Sequence, residues 1–125
     1  MLKKKILVVD DEPDIVELIQ ARLTRQGYDV ICACNGMEAL RLAKMCTPHC
    51  IILDMMLPDI QGSSVCAQLK TDEKYRMIPI ILLTARSRDY DKDIGRAVKA
   101  DVYMTKPFDQ NELLDKIQEL LTGKS

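Results

Sequence analysis

Two apolar rhythms alternate along this chain. In the first, short unbroken runs of branched and aliphatic side chains stop abruptly at polar residues. Residues 5–9 run into Asp10-Asp11-Glu12, and residues 50–53 run into Asp54. Runs of this length, bounded by turn chemistry, read as strands buried on both faces. Residues 78–83, ending in Thr84-Ala85, and the short stretch 102–105, leading to Lys106-Pro107-Phe108, share the pattern. Residues 28–33 are less uniformly apolar, which predicts a strand near a sheet edge.

The second rhythm has the period of a helix. Pro13 opens one where its missing N–H costs nothing; Ile15, Val16, Leu18, Ile19 and Leu23 give it a wide apolar stripe, and Gly27 stops it. Asn35-Gly36-Met37-Glu38 has the form of a capping box and predicts a second helix through about Lys44. A third is predicted over 63–70, burying Val65, Cys66 and Leu69. A fourth, over about 89–98, offers only Ile94, Ala97 and Val98 as apolar periodic positions. It should be the weakest, and weak elements are candidates for movement. The closing helix has Asp109 and Glu112 at capping positions, with Leu113, Leu114, Ile117, Leu120 and Leu121 on one face.

Five strands alternating with five helices predict an α/β fold, a doubly wound five-stranded parallel sheet with helices on both sides. Right-handed crossovers leave few topologies, of which the flavodoxin-like order 2-1-3-4-5 leads. It sets the first and third strands side by side at the centre, where the strand order reverses. No linker or internal repeat interrupts the chain, so residues 1–125 are expected to form one domain, long enough to bury a real core.

Composition adds mainly exclusions. Apolar residues make up 47% and charged residues 30%, ordinary for a soluble globular protein. A formal net charge of −1 makes no electrostatic case for direct binding of nucleic acid or an anionic membrane. No apolar run approaches the roughly 20 residues that span a bilayer. The basic start Met1-Leu2-Lys3-Lys4-Lys5 is followed by too short an apolar stretch for a secretory signal, so a cytoplasmic location is expected. Cys32, Cys34, Cys46, Cys50 and Cys66 lack paired metal-type spacing and read as small reduced hydrophobes. His49, the only histidine, reads as a loop or strand-edge residue without assigned chemistry.

Strands of a parallel sheet all point the same way, so their last residues gather along one edge. Here that edge would receive Asp10 and Asp11, Asp54, Thr84 and Lys106. Two like charges about 4 Å apart repel by about 4 kcal/mol even at an effective dielectric near 20, so something positive belongs among the acids. Oxygen-only ligands with room for water suit Mg²⁺. An Asp beside such a cation is placed to attack phosphorus and become an aspartyl phosphate. Mg²⁺ and Lys106 would neutralise the transferred oxygens, and Thr84 would donate one hydrogen bond.

Four segments carry a resemblance. They are Val8-Val9-Asp10-Asp11-Glu12-Pro13; Leu53-Asp54-Met55-Met56-Leu57-Pro58 with Gly62; Leu83-Thr84-Ala85; and Ala100-Asp101 with Tyr103 and Lys106-Pro107-Phe108. In this set and order the chain resembles a response-regulator receiver domain, the phospho-acceptor of two-component signalling. The resemblance implies that Asp54 accepts a phosphoryl group from a sensor histidine kinase or phosphotransfer protein. It implies direct Mg²⁺ binding by Asp11, binding mainly through water by Asp10, and further ligation by Asp54 and the backbone carbonyl of Met56. Lys106 would pair with phosphoryl oxygens, its bond to Pro107 would be cis, and Thr84 and Tyr103 would form a switch pair. The output face would comprise the fourth helix, the fifth strand and the last helix. It would serve an output domain, a downstream protein or a phosphorylation-dependent homodimer. Such a protein is no enzyme beyond its own phosphorylation and slow dephosphorylation.

Two departures concern the loop before the last strand: Lys99 stands where the family often has Gly, and Val102 where a second acid is common. Met56 and Arg86 occupy positions where family members differ in phosphoryl lifetime. A Met56 side chain has no group with which to orient water, which predicts a longer-lived phosphoryl group. Rival readings fare worse. A flavodoxin-type cofactor enzyme needs a Ser/Thr/Gly-rich phosphate loop after the first strand, and Asp10-Asp11-Glu12 is the opposite chemistry. A haloacid-dehalogenase-type phosphatase needs its two first-strand acids one residue apart, a gap that Asp10-Asp11 lacks. A degenerate receiver, acting only as a protein-docking module, sits poorly with a full set of acceptor residues.

Overall fold

The most apolar runs take the middle of the sheet, because only there are both faces of a strand covered. The computed structural model describes residues 3–85 and 99–123. Its strands are β1 (Lys5–Val9), β2 (Asp29–Ala33), β3 (Cys50–Asp54), β4 (Ile80–Ala85) and β5 (Val102–Lys106). Among the described residues the helices are α1 (Pro13–Arg25), α2 (Gly36–Cys46), α3 (Gly62–Lys70) and α4 (Gln110–Thr122). All neighbouring strands run parallel, in the order β2-β1-β3-β4-β5, the flavodoxin-like doubly wound arrangement. The helix predicted over 89–98 lies outside the described residues.

Alternate residues of each strand feed two cores, as a period of two requires. Ile6, Val8, Ile52, Ile81 and Leu83 pack with Ile19 and Leu23 of α1 and Leu113 and Ile117 of α4. Leu7, Val9, Ile51, Leu53, Ile80 and Leu82 pack with Ala39 and Ala43 of α2 and Val65, Cys66 and Leu69 of α3. The less apolar β2 is indeed an edge strand.

Several boundaries shift by a residue or two from those expected. β4 starts at Ile80 rather than residue 78, since Pro79 has no N–H to give the ladder and the Ile78 N–H closes a turn onto the Tyr75 carbonyl. β3 and β5 each run one residue further than predicted, so Asp54 and Lys106 are strand residues held in register opposite Leu83 and Ala85 of β4. Leu18, assigned to the apolar stripe of α1, is 63% exposed. At 100° per residue it lies about 115° from the centre of the arc through Ile15, Ile19, Leu23 and Val16, and so turns to solvent.

The capping box of α2 forms in altered shape. The Asn35 side chain accepts the Glu38 N–H at 2.8 Å, and the Glu38 carboxylate reaches back to the N–H of Cys34 at 3.1 Å. In the loop before β5, Lys99 adopts φ +60°, the left-handed conformation a Gly would adopt without cost. Beside it, Lys70 reaches the Asp101 carboxylate at 2.6 Å and the carbonyl of Ile78 at 2.9 Å, while Asp101 accepts the Ile80 N–H at 2.7 Å. This latch ties α3 to the starts of β4 and β5.

Candidate functional site

The carboxyl ends of β1, β3 and β5 bring the predicted acids and lysine together. The Asp10 N–H still pairs with the Ala33 carbonyl of β2, which holds its side chain inward, 1% exposed, while adjacent Asp11 turns out to solvent. Asp54 is 4% exposed at the end of β3. Carboxylate oxygens of Asp10, Asp11 and Asp54 all lie within 4.8 Å of one another. Like unit charges at that range repel by about 3–4 kcal/mol at an effective dielectric near 20.

Lys106 offsets part of this repulsion. Its ammonium sits 2.9 Å from Asp10, 3.3 Å from Asp54 and 3.9 Å from Glu12. Three acids around one cation still leave a local excess of negative charge. Burial first, and the Asp10 charge second, push the Asp54 carboxyl from its ordinary 3.8 up to about 6, against the pull of Lys106 and the Met56 N–H. Burial works against the Lys106 ammonium, but its bonds to Asp10 and Asp54 outweigh that and raise its pKa. Every donor in the cluster is oxygen, and the Asp11 side is open to water. That is what a hard divalent cation such as Mg²⁺ requires of a site.

The remaining predicted residues surround this cluster. Thr84 is buried at 1% on β4, and its hydroxyl donates a long 3.4 Å bond to the Met104 carbonyl of β5. Tyr103 lies on β5, partly buried against the α2 and α3 side of the sheet. The Met56 side chain is 62% exposed, but its backbone N–H bonds the Asp54 carboxylate. The Lys106–Pro107 peptide bond is cis. All five cysteines are reduced, and burial pushes the Cys50 thiol up to about 12 and that of Cys66 to about 11, away from reactivity. His49 is a strand-edge residue whose Nδ1 accepts the Lys5 N–H at 2.9 Å.

The profile of the response regulator receiver domain matches residues 6–118. The chain belongs to the response regulator receiver domain family. As a receiver it is 48% identical over 120 residues to the alkaline phosphatase synthesis transcriptional regulatory protein PhoP of Bacillus subtilis, covering 96% of this chain and 49% of that one. It is 42% identical over 117 residues to the DNA-binding dual master transcriptional regulator RpaA of Synechocystis, covering 94% and 48%. The receiver thus spans about half the length of these curated relatives. Its backbone superposes, with TM-score 0.89 and 30% identity over 97% of this chain and 99% of the other, on the receiver domain of a Pseudomonas aeruginosa sensor histidine kinase. That structure has a magnesium ion coordinated in the active-site cleft. The receiver is therefore a module of two-component response regulation. No helix among its described residues is long and apolar enough to cross a membrane.

Two residues in this neighbourhood escaped the sequence reading. Asp59 accepts backbone N–H groups at the start of α2, and Lys70 anchors Asp101. Asp59 follows Pro58 in an obvious turn, where an Asp is unremarkable. Nothing local marks Lys70, since its partners are 6, 8 and 31 residues away in sequence.

Proposed function

We propose that this receiver takes a phosphoryl group onto Asp54 from the phosphohistidine of a sensor kinase or phosphotransfer protein. The observation carrying this reading is the buried Asp54 carboxylate, converging with Asp10 and Asp11 within 4.8 Å and bridged to Asp10 by Lys106. An Asp54 oxygen attacks phosphorus and forms a P–O bond as the P–N bond breaks; the imidazole leaves with that electron pair. Asp10, Asp11, Asp54 and the Met56 carbonyl would hold Mg²⁺, which would supply positive charge for the transferred oxygens.

The protein's own groups do the rest. The Met56 N–H fixes the orientation of the Asp54 carboxylate before attack. Lys106, 3.3 Å from the Asp54 oxygen, needs only a small movement to meet a phosphoryl oxygen. The Thr84 hydroxyl holds only a 3.4 Å bond and gives it up at little cost for a charged acceptor. Its departure from the Met104 carbonyl couples the site to β5, where Tyr103 turns inward as its partner in the switch. The output face then includes β5 and α4. We assign its partner to an output domain, a downstream protein or a second copy of the receiver, acting in the cytoplasm.

The test is incubation with Mg²⁺ and acetyl phosphate, or beryllofluoride, followed by intact-mass and NMR measurement. The parent should gain a hydroxylamine-labile phosphoryl adduct, and Asp54→Asn should gain none. A parent without adduct would overturn the reading in favour of a phosphorylation-independent docking module.

A further inference from the structure

The loop between β3 and α3 carries two groups on which the proposed chemistry depends: the Met56 N–H bonded to Asp54, and the Met56 carbonyl assigned to the metal. On its inner side the loop is tied down firmly. The Met55 N–H bonds the Leu83 carbonyl at 2.8 Å, the Gly62 N–H bonds the Met55 carbonyl at 2.9 Å, and the Met55 side chain is buried. On its outer side the loop meets the start of α2. The two carboxylate oxygens of Asp59 divide the first free N–H groups of that helix between them, one accepting from Gly36 at 2.7 Å and the other from Met37 at 2.9 Å. The next N–H, of Glu38, already has Asn35. Three donors that a helix leaves unsatisfied are thus shared between a local cap and a carboxylate 22 and 23 residues away.

The packing beneath the clasp is equally close. A Cβ on Gly36 would lie 2.9 Å from the Ile60 Cβ and 3.0 Å from its carbonyl oxygen, so only glycine lets the helix start approach the loop this far. Gly36 and Ile60 therefore fix the separation, and Asp59 fixes the orientation. Met56 stands between Met55, tied to β4, and Asp59, tied to α2.

We propose that Asp59 is a positioning residue for the phospho-acceptor site. By clasping the α2 N-terminus it holds the loop so that the Met56 N–H meets Asp54 and the Met56 carbonyl faces the Asp10, Asp11 and Asp54 carboxylates. Asp59 touches neither phosphoryl group nor metal; it acts through Met56. This inference rests on the assignment of the metal and phosphoryl site given above.

The test is Mg²⁺ affinity in the full chain, read from amide chemical shifts in a magnesium chloride titration, alongside urea unfolding. Asp59→Ala should bind Mg²⁺ about tenfold more weakly, at the low end for groups that hold a metal's ligands in place. Asp59→Asn keeps one acceptor oxygen and should fall between Asp59→Ala and the parent. The matched control is Asn35→Ala, which removes the other cap of the same helix without touching the loop. It should lose stability and keep its Mg²⁺ affinity. Unchanged affinity in Asp59→Ala, or an equal loss in Asn35→Ala, overturns the clasp. A parent that binds no Mg²⁺ overturns the site assignment instead.

Discussion

Asp54→Asn is expected to make the metal-free protein more stable at neutral pH, although it removes a carboxylate paired with Lys106. The carboxyl titrates near 3.8 when unperturbed and near about 6 in the fold, with burial and the Asp10 charge as the main causes. A carboxylate whose pKa rises on folding binds more protons folded than unfolded between those values, so stability falls as pH climbs through that window. The penalty is absent below about 3.8 and complete above about 6, where it corresponds to about 3 kcal/mol. The amide keeps an acceptor for the Met56 N–H and for Lys106, and Lys106 retains Asp10 at 2.9 Å. Burying the amide and losing the ion pair return part of the gain, which leaves about 1–2 kcal/mol. Urea unfolding without divalent cations, followed by far-ultraviolet circular dichroism from about pH 4 to about pH 8, reads this directly. The two curves of stability against pH should converge at the acid end and separate above about pH 6. A less stable variant at neutral pH, or a difference that ignores pH, would refute the reasoning. Millimolar Mg²⁺ should stabilise the parent more than the variant, because it supplies the charge the site lacks.

Further outcomes follow from particular residues. Met56→Asn places a water-orienting amide beside the acceptor and should shorten the phosphoryl half-life; an equal or longer half-life, measured by decay of the acid-quenched adduct, contradicts this. Gly62→Ala would drive a Cβ into the Asp54 backbone carbonyl, with the Met55 Cα only 2.9 Å away. It should cost about 3 kcal/mol in urea unfolding, and an unchanged midpoint would show that the loop yields. Thr47 ends α2 at φ 40°, ψ 66°, a left-handed conformation poorly suited to a β-branched residue. Thr47→Gly should therefore raise stability by about 1 kcal/mol, and a lower melting temperature would count against it.

Much of this protein is determined by its sequence because the relevant physics is local or periodic. Unbroken apolar runs such as residues 50–53 are stable only with both faces covered, so a parallel sheet with helices on either side follows from the pattern. Once the strands run parallel, Asp10, Asp11, Asp54, Thr84 and Lys106 must share an edge, whatever the details of packing. Register and distance were decided elsewhere. Adjacent Asp10 and Asp11 are chemically alike, yet one is buried and the other exposed, because the Asp10 N–H continues the ladder to Ala33. Leu18 left the core because the arc of α1 that meets the sheet is set by how the helix lies on it. The clasp of Asp59 on α2 and the hold of Lys70 on Asp101 join segments far apart in the chain. Hydrogen bonds of this kind depend on where whole elements come to rest, and no local pattern of residues encodes that.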